Sequence, residues 1–406
     1  MKILKIIIGF SVKATRWMLR NASKIISKTF TNMYNNHIRK QKENDKILFI
    51  PCAVLNGSFG DELMIVAFLE INKGKSITLY CSKIIERKDL FENYGRLEQL
   101  SQNIIPMYKQ YNGGVFLMGA DIMTGAYDKK DVLTKCAILK NANKYKLRTS
   151  ILGFSFHDIS EQKIKKSMEN LLPQTIFNLR ERDSYNVAKQ FLPESNLRLV
   201  ADMAFLCPST PNNDLDYLLW IEQQHEMNKI IVGVCPNALQ ANLAGKDYYI
   251  TEYISLLEYM NNRHNLSFVL LYHDIREHTN DLELSEKIHA GLPDSMNLFY
   301  TKNICNGIQL KSYLNHIDFT LTGRLHFGIS GYSLGKPMFG IGYEGKFSGI
   351  QKLFGIDPEK SIIDYRKLND SMAVMDMFME NLSNFFSLVN EKLPVVLKMA
   401  EKNFEV

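Results

Sequence analysis

Short apolar runs alternate with segments of helical period along most of this chain, and the alternation restarts once. From Lys46 it reads KILFIPCAVL as strand, ELMIVAFLEIN as helix, SITLYCS and VFLMGAD as strands, then a helical stretch, the strand TSILGFSF and the amphipathic KKSMENLLPQ. A polar stretch at 208–215, PSTPNNDL, interrupts the series. It resumes with IIVGVCPNAL as strand and loop, YYITEYISLLEYMN as helix, SFVLLYHD as strand and LELSEKIHAGL as helix. Parallel strands need long crossovers, so repeated β-α order predicts an α/β architecture of doubly wound parallel sheets. Two successive series predict two Rossmann-like domains facing a central cleft. The expected boundaries are a basic segment at 1–45, a first domain at 46–207, a linker at 208–225, a second domain at 226–365, and C-terminal helices at 366–406 that pack back across the domains.

A chain of 406 residues with 46% apolar content holds two large cores, at roughly 150 residues per domain. Cys52, Cys81, Cys136, Cys207, Cys235 and Cys305 are scattered, without a CxxC pair or His/Cys metal spacing. They read as reduced thiols of a cytosolic protein.

Charge is uneven. Residues 1–46 hold 11 Lys and Arg against 2 acidic residues, whereas the remainder holds 38 against 41. Lys13, Arg16, Arg20, Lys24 and Lys28 recur at helical spacing, and Ile3, Ile6, Ile7, Phe10, Ala14, Trp17, Met18 and Ile25 form a second stripe. A basic amphipathic helix is predicted. Its apolar run, Ile3–Val12, falls short of the roughly 20 residues of a spanning helix, and no small-residue cleavage site follows it. The expected partner is an anionic membrane surface, with a helix packed on its own domain and a disordered or nucleic-acid-binding arm as alternatives. Nucleic acid is least favoured, because the rest of the chain has no basic excess to extend the contact. A cytoplasmic protein, peripheral on the inner face of the cell membrane, is expected.

The stretch Asp318–Lys346, DFTLTGRLHFGISGYSLGKPMFGIGYEGK, concentrates the chemistry. His316–Thr322 is predicted as a buried strand, Leu325–Leu334 as a glycine-containing helix and Pro337–Ile341 as the next strand. Arg324 and His326 then sit where a strand hands over to a helix, at the end of the sheet that faces the ligand crevice. His273 and Asp274 end SFVLLY in the same way, and His157 and Asp158 follow ILGFSF. An anionic ligand is expected.

RLHFGISGYSLGKP followed by GYEGK resembles the polysaccharide pyruvyl transferases, which carry an R-[LF]-H element, a small-residue helix, a G-x-P turn and a late Y-x-x-K; here these fall on Arg324, His326, Gly335–Pro337 and Tyr343–Lys346. NGSFGDE at Asn56–Glu62 is similar to the family's first loop, with two additional residues between Asn56 and Gly60. VFLMGADIMTGAYD resembles its second strand and loop, RERDSYNVAKQFL its R-[DE]-x-x-S-Y element with Arg180 in the arginine position, and LVADMAFLCP the D-x-A-F strand that closes the first domain. The order of these segments over residues 47–360 is more discriminating than any one of them.

The resemblance implies the two-Rossmann GT-B architecture and phosphoenolpyruvate as donor, its pyruvate passing to two hydroxyls of a sugar as a cyclic ketal in biosynthesis of a bacterial cell-surface or capsular polysaccharide. A donor with phosphate and carboxylate on one small frame calls for fixed cations, and arginine binds such oxyanions bidentately. Arg324, Arg180 and Lys346 are the candidates, with His273 as a second binding histidine. His326 is suited either to protonate the methylene carbon or to bind the phosphate. Asp61 and Glu344 are candidate bases, and Asn56, Asp121 and Tyr127 candidate acceptor contacts. No cofactor beyond the donor and no metal is expected. A membrane-bound segment would make a lipid-linked oligosaccharide the natural acceptor.

Each assignment has a structural rival. Arg324 and His326 also suit a structural arginine and a satisfied histidine beneath a loop, Lys346 a solvated lysine, and Arg180 or Arg182 a partner for Glu181 or Asp183. Asp61 suits a cap for a helix starting at Glu62, Gly57 and Gly60 turn formers, Asp121 a turn-fixing residue, and Asp202 an organiser of the Arg180 region. Tyr127, Tyr272 and Tyr343 suit ordinary packing. Two other functions fit the pattern: a glycosyltransferase using a nucleotide sugar, although no E-x7-E pair is evident, and a non-catalytic scaffold for polysaccharide assembly.

Overall fold

The structure, a computed structural model, describes residues 45–51, 57–81, 94, 97–101, 106–126, 128–156, 161–342 and 345–405. The expected basic helix at the N-terminus lies outside these residues.

Apolar, β-branched runs form the strands. The first sheet among the described residues contains β1 (Lys46–Ile50), β2 (Ser76–Cys81), β3 (Leu97–Ser101), β4 (Gly114–Ala120), β5 (Thr149–Phe154), β6 (Thr175–Leu179) and β7 (Leu197–Leu199), in the order β3-β2-β1-β4-β5-β6-β7. The second contains β8 (Ile230–Cys235), β9 (Leu266–Leu270), β10 (Leu298–Tyr300), β11 (Phe319–Thr322), β12 (Met338–Gly342) and β13 (Ile362–Asp364), in the order β10-β9-β8-β11-β12-β13. Neighbouring strands pair in parallel throughout. Both orders reverse beside their first strand, and that switch point opens a crevice at the carboxyl ends.

Three expectations shift. The strand foreseen from His316 begins at Phe319, because Leu314–His316 forms a 3-10 turn and the Asp318 carboxylate accepts the Ile231 N–H at 2.8 Å. The D-x-A-F segment is a 3-10 turn, Met203–Leu206, since the Asp202 carboxylate caps it by accepting the Ala204 N–H at 2.8 Å. The segment foreseen as a linker at 208–225 contains most of a helix, Leu215–Glu226, whose Tyr217 enters the second core and donates its O–H to the Tyr313 carbonyl at 2.6 Å.

Helix α1 (Phe59–Ile71) is apolar on nearly every side and buried from Glu62 to Leu69, the pattern of a helix enclosed between layers. On one side Phe68 stacks on Phe49 of β1 with ring centroids 3.8 Å apart, and also meets Phe116 and Phe404. On the other, the buried Glu62 carboxylate accepts the Gly307 N–H at 2.8 Å, joining the first half to the second. The long C-terminal helix (Ser371–Glu401) has 31 residues, hence a length of about 46 Å. Its Phe378 packs on Phe319 and Phe339 of the second sheet. Beyond its end, Asn403 accepts the Gly153 N–H at 2.8 Å and donates to the Ala201 carbonyl at 2.9 Å in the first half. Among the described residues no helix is long and apolar enough to cross a membrane.

Because Phe68 joins the first sheet, α1 and the C-terminal segment, Phe68→Ala is expected to lower unfolding free energy by about 3–5 kcal/mol. Urea denaturation measures it, and a loss under about 1 kcal/mol would contradict this packing role.

Candidate active site

A cavity of about 860 Å³ lies between the two halves, lined by residues that include Asp61, Asp121, Arg180, His273, Arg324, His326 and Lys346. Residues far apart in sequence converge there because each follows the carboxyl end of a strand or opens the next helix. Asn56, Tyr127 and Glu344, with His157, Asp158 and Tyr343, lie outside the described residues.

The first loop is zipped onto the second half. The Phe59 N–H donates to the His273 carbonyl at 3.1 Å, and the Ile275 N–H to the Gly57 carbonyl at 3.0 Å. Gly57 has φ of +109°, and a Cβ there would come within 2.5 Å of the Ile275 side chain, so glycine is required. The zipper sets Gly60 against two imidazoles, those of His273 and His326, whose rings are nearly parallel (6°) with centroids 6.4 Å apart. A Cβ at Gly60 would lie 2.6 Å from His326 Nδ1 and 3.0 Å from His273 Cε1. Asp61 is in the first turn of α1, and the capping position belongs to Ser58, whose side chain makes no cap bond.

Asp202 links the halves electrostatically. Its Oδ2 accepts from Arg180 Nη1 at 2.6 Å and lies 3.5 Å from His326 Nε2, a charge contact rather than a well-formed hydrogen bond. Arg180 Nε donates to Ser155 Oγ at 2.6 Å. Burial disfavours the Asp202 carboxylate, but Arg180 and His326 outweigh it and hold the group well below the usual range. For Arg180 burial is likewise overcome by Asp202, Glu181 and Asp121, which raise its pKa.

Arg324 lines the cavity, but its guanidinium is already gripped. Nε and Nη2 donate to the two Asp281 oxygens at 2.8 and 2.7 Å, Nη2 also reaches the Thr279 carbonyl at 3.1 Å, and Nη1 lies 3.5 Å from Asp274. Burial opposes its charge, and Asp281 reverses that effect. Sequence reasoning missed Asp281, which opens the helix Asp281–Gly291 and resembles an ordinary first-turn acid. Its burial at 0% exposure is the tertiary fact that sets it apart.

His273 is buried, and its Nε2 has no hydrogen-bond partner. Burial, then Arg324, His326 and Arg276, push its pKa well below 6.5, so the imidazole is neutral at pH 7. Across the cavity Lys346, which opens the helix Lys346–Leu353, donates to Asp121 at 2.9 Å. The expected donor-side lysine and acceptor-side aspartate therefore pair with each other.

Two parallel Rossmann-like sheets with a ligand-sized cleft between them define a GT-B-type protein. Solved structures agree: a putative UDP-N-acetylglucosamine 2-epimerase from Listeria monocytogenes has a TM-score of 0.57 at 10% identity, covering 90% of this chain and 97% of that one. Anabaena Alr3699/HepE in complex with UDP-glucose gives 0.53 at 11%, covering 89% and 95%, and S. aureus MnaA with UDP gives 0.57 at 8%, covering 86% and 91%. At such identities the likeness is one of fold. A search of the curated proteins finds no match. The chain belongs to the polysaccharide pyruvyl transferase family, whose model matches residues 30–345, which makes it a transferase of polysaccharide modification.

Two measurements test the site. Asp202→Ala leaves Arg180 buried without its carboxylate and is expected to cost about 3–5 kcal/mol of stability in urea denaturation; an unchanged midpoint would refute the buried pair. His273 has a folded pKa depressed below its unfolded value, so its contribution is complete above pH 6.5 and is lost as pH falls below that. Stability should fall with acid by up to about 1.4 kcal/mol per pH unit from this residue, and His273→Asn should remove that part of the slope. Parallel wild-type and variant curves between neutral and mildly acidic pH would contradict it.

Proposed function

We propose that this protein transfers pyruvate from phosphoenolpyruvate to two hydroxyls of a sugar as a cyclic ketal, during biosynthesis of a bacterial cell-surface polysaccharide. The observation that carries the reading is the convergence of Arg180, His326 and Lys346 on one cavity in a chain of this family. Lys346 and His326 bind the donor's anionic groups, while Arg180 from the first half holds Asp202 against His326. Arg324, neutralised by Asp281, chiefly fixes the cavity floor, and neutral His273 offers the donor a hydrogen bond.

His326 donates a proton to the methylene carbon as the C=C electron pair forms the new C–H bond, leaving C2 electrophilic. A sugar hydroxyl oxygen attacks C2 and gives its proton to a carboxylate, for which Asp61 is the described candidate. Phosphate departs with the C–O electron pair, and the second hydroxyl closes the ring, its proton leaving with phosphate or solvent. The basic N-terminal segment supports a lipid-linked oligosaccharide as acceptor, met at the cytoplasmic membrane surface.

Phosphoenolpyruvate is expected to raise the melting temperature, and its incubation with lipid-linked sugars to release phosphate together with a glycan heavier by one pyruvyl ketal. His326→Ala should lower turnover roughly 10²–10⁴-fold with folding retained. Stabilisation by uridine diphosphate alone would favour the nucleotide-sugar alternative and overturn this reading, and full activity in His326→Ala would remove the assigned proton donor.

A further inference from the structure

A second cavity, of about 610 Å³, lies where residues 210–214 meet residues 303–313 and shares no lining residue with the cleft. Its volume is within the roughly 300–1,000 Å³ range of small-molecule sites. The described lining contains no Lys, Arg or His, and its carboxylate, Asp214, is already engaged: one oxygen accepts the Tyr313 O–H at 2.7 Å and the other the Tyr217 N–H at 3.1 Å.

Five carboxamides line the wall, and the oxygens of three are fixed internally. Asn212 Oδ1 accepts the Asp214 N–H at 2.8 Å, Asn306 Oδ1 the Gln309 N–H at 2.8 Å, and Gln309 Oε1 the Cys305 N–H at 2.7 Å. Pinning these oxygens leaves the NH2 groups of Asn212, Asn306 and Gln309 as the remaining polar ends of those three side chains. Asn212 is only 7% exposed, yet its Nδ2 has no hydrogen-bond partner, which is unusual for a buried amide donor. Ile308 and the Tyr313 side chain supply apolar wall beside them.

We propose that this cavity is an accessory binding site for a neutral saccharide unit, whose hydroxyl and carbonyl oxygens accept hydrogen bonds from the amides of Asn306, Gln309 and, on local adjustment, Asn212. An anion would meet Asp214 without any cation to offset it, and a cation would face the amide N–H groups. A neutral ligand rich in acceptors matches both constraints. The inference is independent of the ketal chemistry.

Two substitutions separate ligand contacts from fold. Asn306→Ser retains an oxygen able to cap the helix Gly307–Tyr313 but removes the NH2 donor. Gln309→Glu keeps the acceptor for the Cys305 N–H and replaces the donor with an anionic oxygen. Saturation-transfer NMR on the full chain, without phosphoenolpyruvate, uses maltotriose, methyl α-galactoside and N-acetylglucosamine as probes. Transfer to at least one of them is expected in wild type and in His326→Ala, with loss in the double variant at an unchanged melting temperature. If the double variant melts lower, Asn306→Ser alone carries the same expected loss. No transfer to any probe, transfer unaffected by the substitutions, or transfer lost in His326→Ala would overturn the proposal. Failure of the phosphoenolpyruvate reading would leave each of these outcomes unchanged.

Discussion

Asp202 is fully buried, and a carboxylate there is tenable only because Arg180 donates to it at 2.6 Å and the Ala204 N–H at 2.8 Å. The same oxygen that takes Arg180 also faces His326 Nε2 at 3.5 Å. One charge of the first half therefore orients a cation of its own half and an imidazole of the other. With Nε2 turned toward Asp202, Nδ1 is left on the side of Gly60. The chemistry of the cleft depends on the halves being held in this register.

Several contacts provide that hold, and they differ in strength. Helix α1 is enclosed, the Glu62 carboxylate accepts a second-half N–H out of water, and the loop at Gly57–Phe59 shares backbone hydrogen bonds with residues 273–275. The C-terminal helix crosses from Phe378 on the second sheet to Asn403 against the first. Contacts of this kind are worth most where water is excluded. The Lys346–Asp121 bridge is different, with side chains 23% and 34% exposed, and pairs so exposed contribute little to stability.

Much of this was legible in the sequence, for physical reasons that also mark where legibility ended. Buried parallel strands are continuous apolar runs, so β1, β2, β4, β5, β8 and β9 stand out. β10 and β13 have three residues each and are largely half-buried, which leaves almost no pattern to read. The helix at Leu215 did have a signal, because Asp214 precedes LDYLLW and its carboxylate accepts the Tyr217 N–H; the polar run before it drew the reading toward a linker. Arg324 and His326 were recognisable as cleft residues from the strand-to-helix handover. The engagement of Arg324 by Asp281 was not, since the two are 43 positions apart and nothing local marks Asp281 as buried.

Those pairings determine which groups remain to meet an anion. Arg180 is neutralised by Asp202, Arg324 by Asp281, and Arg276 by Asp274 at 2.5 Å. The first two pairs are largely buried and do not dissociate readily, because separating them leaves an uncompensated charge out of water, whereas the Arg276 side chain is 38% exposed. The cation with a looser partner is Lys346, on a bridge open to solvent, and the His326 imidazole stands 3.5 Å from Asp202. In the proposed reaction, an anion entering the cleft would compete with Asp121 for Lys346. Donor binding there would thus loosen the contact between Lys346 of the second half and Asp121 of the first without requiring any movement of the buried pairs.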